Sequence, residues 1–214
     1  MDTRPEPEPT GLSIFSLLAV IVTGLIPIWG VVAFGWDAIQ IVVLFWLETL
    51  IVGIFTWLRV RDAERRSGFD EPFSLSGFFV VHYGLFWLVH GIITWLLVLV
   101  FLPGGGWDVA WRSTFGDVSF WKALVGVGLL QTLIYWRDWA RPQAWREADP
   151  TTEMLRPYAR VLALHLMVIA GFWVISLNGS ARGLVILLCV AKLIADVSLA
   201  LWQAGFKVRF EAVR

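Results

Sequence analysis

Six long, mainly apolar stretches constrain this chain more than any other feature of its sequence. A helix needs about 20 consecutive apolar residues to cross the hydrocarbon core of a bilayer. The stretches that reach this length are Leu12–Phe34, Ala38–Val60, Leu75–Leu102, Val118–Trp136, Pro157–Leu177 and Gly183–Gly205. Apolar residues make up 58% of the chain and charged residues 16%, whereas soluble domains average roughly 45–50% and 25%. The sequence therefore predicts an all-α, polytopic membrane protein, a bundle of six transmembrane helices.

The positive charges are unevenly distributed along the chain, although 17 lysines and arginines balance 17 aspartates and glutamates. Thirteen of the 17 lie at the N-terminus, around the loops after the second and fourth stretches, and in the C-terminal tail. Short loops rich in lysine and arginine stay in the cytoplasm, so we expect both termini to be cytoplasmic. A neutral total excludes the strongly basic surface of a nucleic-acid-binding protein, and no nucleic-acid partner is expected.

The stretches divide the chain into one membrane domain and two tails. Residues 1–11 form a polar, proline-rich N-terminal tail, residues 12–205 the transmembrane domain, and residues 206–214 a short basic C-terminal tail. Because the connections are short, each helix is expected to pack mostly against its neighbours in sequence. The single cysteine, Cys189, excludes an internal disulfide.

The connection after the third stretch carries a pattern of its own. Trp107, Trp111 and Phe115 recur every four residues with polar residues between them. This spacing predicts a short amphipathic helix over residues 106–116 that lies in the membrane interface. The alternative is an irregular loop whose tryptophans are anchored at the depth of the lipid headgroups. The three aromatic side chains are also candidates for a protein interface, because Trp is favoured at interface hot spots.

Ionisable side chains inside the stretches are candidates for a functional site, because a charge in a spanning helix is costly. They are Glu48, His82, His90, Arg160, His165, Lys192 and Asp196. Arg160 lies near the cytoplasmic end of its stretch, and depth sorts the other six into two layers at about 1.5 Å per residue. The layer nearer the cytoplasmic ends holds His82, His165 and Asp196. The central layer holds Glu48, His90 and Lys192.

Two interpretations of these residues remain open. His82 and His165 lie at matched depth on different helices and could hold a metal ion, or the metal of a haem or chlorin, with His90 in the next layer. The alternative is an intramembrane polar network in which Lys192 neutralises Glu48 or Asp196 and the histidines form hydrogen bonds between helices. No spacing matches a specific metal motif, so the sequence does not identify a cofactor.

The third stretch carries glycines at intervals of seven residues, Gly77, Gly84 and Gly91. A glycine stripe of this kind predicts a smooth face that another helix or a flat cofactor can approach closely, and helix packing is the favoured interpretation. Catalytic motifs are absent from the sequence, which has neither the H-E-x-x-H of a zinc protease nor a G-x-S-x-G nucleophile elbow. No catalytic residue is therefore assigned.

Three segments resemble those of an uncharacterised family of bacterial multi-pass inner-membrane proteins, known only as a domain of unknown function. They are Phe45–Gly53 (FWLETLIVG), His82–Gly91 (HYGLFWLVHG) and Tyr158–Leu166 (YARVLALHL). The resemblance runs from the second helix to the sixth and implies a location in the bacterial inner membrane. It also implies that Glu48 and the three histidines are positions the family uses, and it brings no activity.

These observations support three hypotheses of function. The first is a non-catalytic accessory subunit of a photosynthetic or respiratory membrane complex, which uses some of its 14 tryptophans to pack against partner subunits. The second is an intramembrane cofactor- or metal-binding protein with His82 and His165 as ligands. The third is a membrane enzyme or transporter that uses Glu48. All three place the chain in a lipid bilayer.

Overall fold

The chain folds into a bundle of α-helices. The computed structural model describes residues 14–67, 74–101, 106–178 and 182–211. The helices in these ranges are α1 Ile14–Phe34, α2 Ala38–Ser67, α3 Leu75–Phe101, α4 Gly106–Phe115, α5 Val118–Tyr135, α6 Pro150–Asn178 and α7 Arg182–Glu211. A π-helical turn, Trp136–Ala140, and a short 3₁₀ turn, Ala144–Arg146, lie between α5 and α6. These ranges contain no strand, and the predicted all-α class is confirmed.

Length and composition make this a multi-pass membrane protein that contacts lipid. Within the described ranges, five segments are long and apolar enough to cross a membrane. They are Ile14–Phe34, Ala38–Arg66, Leu75–Leu96, Val118–Ala140 and Arg182–Leu201, and they match five of the six predicted stretches. The remaining stretch, Pro157–Leu177, lies within the 29-residue helix α6. The predicted N-terminal tail lies outside the described residues, and α7 continues to Glu211 into the predicted C-terminal tail.

Helix α2 is the centre of the bundle. It packs against α3, α5 and α6, and more than half of its most apolar segment is buried, against a third or less in the other four candidate spans. The short predicted helix is confirmed as α4, so the irregular-loop alternative is wrong. Helix α4 connects α3 to α5, and the end of the bundle that carries it is called the α4 end below. The opposite end carries the π-helical turn.

Helix α1 packs mainly against α7 and α5 rather than against α2. The expectation that each helix contacts its neighbours in sequence is therefore wrong for α1. The cause lies in the tight connection to α2, where Gly35 has φ +73° and Trp36 turns back over Gly30. The indole Nε1 of Trp36 donates to Ser119 Oγ of α5 at 2.9 Å. The Trp36 side chain therefore links α5 to the connection between α1 and α2.

The glycine stripe of α3 makes a close contact at only one of its three positions. A Cβ atom at Gly91 would lie 2.5 Å from Cζ2 of Trp46. Among the described residues, one at Gly84 would meet no atom within 4 Å, and one at Gly77 would meet only Ser74, which immediately precedes the helix. Crossing helices approach most closely over a short length, and here the close approach is at Gly91. The predicted close approach is therefore found at Gly91 and not at Gly77 or Gly84.

Candidate functional site

Four charged side chains from three helices meet inside the bundle. They are Glu48 of α2, Arg160 of α6, and Lys192 and Asp196 of α7, and they are called the charge tetrad below. The i, i+4 spacing of Lys192 and Asp196 places both on one face of α7. Helices α2 and α6 pack against each other and against α7, which brings the other two charges to this face.

The tetrad is a closed ring in which each carboxylate contacts both cations. Lys192 Nζ lies 2.9 Å from Glu48 Oε2 and 2.8 Å from Asp196 Oδ2. Arg160 donates from Nε to Asp196 Oδ1 at 3.1 Å and from Nη2 to Asp196 Oδ2 at 3.2 Å. The same Nη2 also donates to Glu48 Oε1. Two positive and two negative charges give the ring a formal charge of zero.

Burial makes this complete pairing necessary. Glu48 is 4% exposed and Lys192 2% exposed, and a buried charge is tolerated only when it is paired and hydrogen-bonded. The side chain of Arg160 is 23% exposed and is the most accessible member of the ring. The water-accessible space beside the ring is about 10 Å³, room for about one water molecule.

The tetrad combines residues from both predicted depth layers. Asp196 was expected in the layer with His82 and His165, and the structure places it with Glu48 and Lys192 instead. The reason is the reach of the cations, because lysine and arginine have long stems that carry the charge well away from the Cα atom. Matched Cα depth therefore accounts for the contact of Glu48 with Lys192 but not for the inclusion of Asp196.

The histidines also pair differently from the prediction. The rings of His90 and His165 are in contact, with centroids 3.7 Å apart. His82 lies elsewhere, with its Nδ1 atom 3.4 Å from Tyr158 Oη and its side chain exposed. The predicted pair His82 and His165 is therefore not formed. Helix α6 begins at Pro150 rather than Pro157, so His165 lies fifteen positions into its helix, as His90 does in α3.

Hydrogen bonding makes the two histidines chemically different. His165 Nδ1 lies 2.9 Å from the Val161 carbonyl oxygen, and because a carbonyl only accepts, Nδ1 is the donor; in the neutral imidazole Nε2 then has the free lone pair. His90 is buried, and its Nδ1 atom has no hydrogen-bond partner in the part of the chain that the structure describes.

Rings in direct contact leave no room for a porphyrin between them. Within the described ranges, no group of three or more His, Cys, Asp or Glu side chains is placed to hold a metal ion.

The predicted interface residues come together at the α4 end. Trp95 of α3 packs with Trp107 at 4.8 Å between ring centroids, and Trp111 packs with Phe115 at 4.4 Å. We call these four residues the aromatic platform. Trp95 is buried, whereas Trp107 and Trp111 are each 47% exposed. The platform thus presents two half-exposed indole rings on a base of buried aromatic contacts.

A comparison with known families agrees with the resemblance in the sequence. One family model matches residues 6–207, which includes the tetrad, the three histidines and the platform. The chain belongs to DUF6498, a family of unknown function. The predicted membership of an uncharacterised domain family is therefore confirmed. No curated protein and no solved structure matches the chain.

One contact of this DUF6498 chain was missed by reasoning from the sequence. Trp46 of α2 and Trp87 of α3 stack with centroids 4.5 Å apart and planes at 8°. Each indole Nε1 donates to the backbone carbonyl of the other tryptophan at 3.1 Å. Both lie near the middle of neighbouring predicted helices, where an indole N–H must find a partner, and this was the available signal for the pair.

The sequence reasoning also missed a polar junction where α4 meets α5 in this DUF6498 chain. Asp117 caps α5 by accepting from the backbone N and Oγ of Ser119, each at 2.7 Å, and from Gln40 Nε2 at 3.0 Å. Burial alone would raise the pKa of Asp117, but the hydrogen bonds from Ser119 and Gln40 outweigh it and lower the pKa below 3.8. An aspartate immediately before an apolar run is a recognisable helix cap.

Proposed function

We propose that this chain is a non-catalytic accessory subunit of a larger bacterial inner-membrane complex, of the photosynthetic or respiratory type. The observation that carries the proposal is the aromatic platform. Its Trp107 and Trp111 rings are half-exposed and held in place by Trp95 and Phe115. Rigid aromatic side chains of this kind dominate the binding energy of protein interfaces. A partner subunit that covers both indoles would gain apolar contact without ordering flexible side chains.

The charge tetrad has a structural role in this proposal. Both oxygens of Glu48 are engaged by Arg160 and Lys192, and the space beside them holds about one water molecule. The ring joins α2, α6 and α7 without leaving a charge for substrate chemistry. The proposal therefore assigns Glu48 a structural role rather than a part in catalysis or transport.

The proposed topology has six spans with both termini in the cytoplasm. Helix α6 supplies the sixth span, since residues 157–177 are mainly apolar and the helix is 29 residues long. Thirteen of the 17 lysines and arginines then lie on the cytoplasmic side. This topology places the α4 end at the outer surface, where α4 lies in the interface and the platform meets a partner.

Purification from native membranes tests the accessory role. We expect the unmodified chain, extracted in a mild detergent, to co-purify with other membrane chains in fixed stoichiometry. Combining Trp107→Ala with Trp111→Ala should remove those chains without unfolding the protein. Trp136→Ala is the matched control, because Trp136 is 52% exposed at the opposite end of the bundle. A folded wild-type monomer with no stoichiometric partner would contradict the proposal.

The histidine pair supports a second candidate function, an intramembrane cofactor- or metal-binding protein. The observation that favours it is the buried Nδ1 of His90, which has no hydrogen-bond partner among the described residues, beside His165, whose Nε2 has a free lone pair in the neutral imidazole. A metal-binding histidine commonly donates its other nitrogen to a backbone carbonyl, as His165 does to Val161. In this proposal His165 and His90 are the ligands, in place of the predicted His82 and His165.

Elemental analysis and optical absorption of protein from native membranes test this second candidate. We expect wild type and His82→Gln to carry the same metal or pigment, and His165→Gln to carry none. A colourless, metal-free wild-type preparation that unfolds at the same temperature with and without added metal ions would rule the candidate out.

A further inference from the structure

An apolar groove separates α1 from α5 towards the α4 end of the bundle. Its volume is about 470 Å³, and its walls include Val22, Leu25 and Trp29 of α1 and Ala123 and Gly126 of α5. Pockets that bind small organic ligands have volumes of roughly 300–1,000 Å³. The groove is therefore large enough for part of a lipid acyl chain.

Specific contacts lie at both ends of the groove. At the π-turn end, the guanidinium of Arg137 lies 4.5 Å from the ring centroid of Phe15, and Ser16 donates to Asp138. At the α4 end, the indole of Trp36 stands at the groove and is held by Ser119 Oγ. Between these contacts, a Cβ atom on Gly126 would meet no atom of the described residues within 4 Å. The groove is thus bounded by specific contacts at each end.

One cation lies at the edge of this groove. Lys122 lines the groove and is exposed, and its ammonium has no ion pair or hydrogen bond within the described parts of the chain. It follows the first residue of α5 by four positions, about 6 Å along the helix axis. The neighbouring carboxylate, Asp117, is already engaged by Ser119 and Gln40. The positive end of the α5 dipole lies on the same side.

We propose that this groove holds one acyl chain of an anionic phospholipid whose phosphate is bound by Lys122. The apolar walls match the acyl chain, and a lysine near the membrane surface reaches the headgroup with its charge while its stem stays on apolar surface. The lipid lies in the leaflet at the α4 end. The site is independent of the proposed accessory role, which rests on the platform.

Native mass spectrometry of the detergent-purified chain tests the proposal, with phosphatidylglycerol and phosphatidylcholine as probes. We expect wild type to retain one phosphatidylglycerol in preference to phosphatidylcholine. Lys122→Gln should reduce that preference about fivefold, the effect of one surface lysine on an anionic lipid, and Lys122→Arg should keep it. Equal retention of the two lipids by wild type, or an unchanged preference in Lys122→Gln, would overturn the proposal.

Two glycine variants test whether the acyl chain occupies the groove. Gly126→Leu fills the groove and should abolish retention of both lipids. Gly128→Leu adds the same side chain two residues away, where an added Cβ atom also meets no atom within 4 Å in the described part of the chain, and it should retain the lipid as wild type does. If Gly126→Leu binds lipid normally and instead loses a co-purifying chain, the groove holds a partner helix and the lipid proposal is wrong.

Discussion

The close contact between α2 and α3 depends on a few individual side chains. Trp46 and Trp87 exchange hydrogen bonds with each other's carbonyl groups and stack face to face. The edge of the Trp46 ring then lies over Gly91, where an added Cβ atom would force the ring to move. Tyr83 packs in the same way over Gly53 of α2 and donates to the Thr49 carbonyl at 2.8 Å. Each glycine here provides space for one aromatic ring.

Substitution of Gly91 by alanine should destabilise the fold. The new Cβ atom would lie 2.5 Å from Cζ2 of Trp46, and overpacking of this kind typically costs about 1–3 kcal/mol. We expect Gly91→Ala to lower the melting temperature in detergent, measured by circular dichroism. Gly84→Ala is the control on the same helix and should not lower it, because within the described ranges its Cβ atom meets no atom within 4 Å. Equal melting temperatures for Gly91→Ala and Gly84→Ala would contradict this prediction and show that the Trp46 ring moves aside without destabilising the fold.

Sequence reasoning found the buried ionisable residues but not all of their partners. Glu48 and Lys192 stand out because a charge in an apolar stretch is costly, and their contact follows from matched depth. The pairing of His165 with His90 depends on where α6 begins, seven residues before the apolar stretch starts. A helix with an amphipathic first turn begins before its apolar part. The depth of a residue is then wrong when it is counted from the start of the apolar stretch.

The junction between α4 and α5 is a polar element at the α4 end. Asp117 caps α5 and also binds Gln40 Nε2 of α2, which in turn donates to the Ser113 carbonyl of α4. One carboxylate therefore connects the start of α5 to α2, and through Gln40 to α4. The short helix itself was predictable from the spacing of its aromatic residues. The Gln40 contact was not, because it depends on how α2 is placed against α4.

Replacing Asp117 by asparagine should lower the melting temperature by an amount that depends on pH. Its pKa is lowered below 3.8 in the folded protein, so the ionised carboxylate stabilises the fold above that pH. This stabilisation is lost as the pH falls through the lowered pKa. We expect Asp117→Asn to melt below wild type at pH 7, and the difference to shrink progressively under acidic conditions below about pH 4. The measurement is the melting temperature of both proteins across this range.

A constant difference between Asp117→Asn and wild type over the whole pH range would contradict the role of the charge. Asn can cap a helix about as well as Asp. The comparison therefore isolates the negative charge from the hydrogen bond geometry.

The whole bundle is organised around α2, and the proposed topology depends on whether α6 crosses the membrane. If α6 is the sixth span, the N-terminus and the C-terminus lie on the same side of the membrane. With five spans they would lie on opposite sides. Composition predicts the five segments that are long and apolar enough to span within the described ranges. The packing of α1 against α7 rather than α2 depends instead on the turn at Gly35 and Trp36.

Reporter fusions distinguish the two topologies. We expect green fluorescent protein to fluoresce when it is fused to either terminus, and alkaline phosphatase to be inactive at both. Alkaline phosphatase inserted after Phe115, next to α4, should be active, because the α4 end is proposed to face outward. Alkaline phosphatase activity at the C-terminus alone would indicate five spans.

The charge tetrad connects three helices across the bundle, and its closure explains how four charges are accommodated there. Removing one member of a buried ion pair leaves an uncompensated charge, which costs about 3–5 kcal/mol. Removing an oppositely charged pair together leaves the remaining pair, here Arg160 and Asp196, intact and neutral.

A double-mutant cycle on Glu48 and Lys192 measures this closure most directly, with unfolding followed in detergent. We expect Glu48→Gln and Lys192→Met each to destabilise the fold by about 3–5 kcal/mol, and the double variant to be less destabilised than the sum of the two. Single variants as stable as wild type would contradict a closed structural tetrad. So would a double variant whose loss of unfolding free energy equals the sum of the losses in the two single variants.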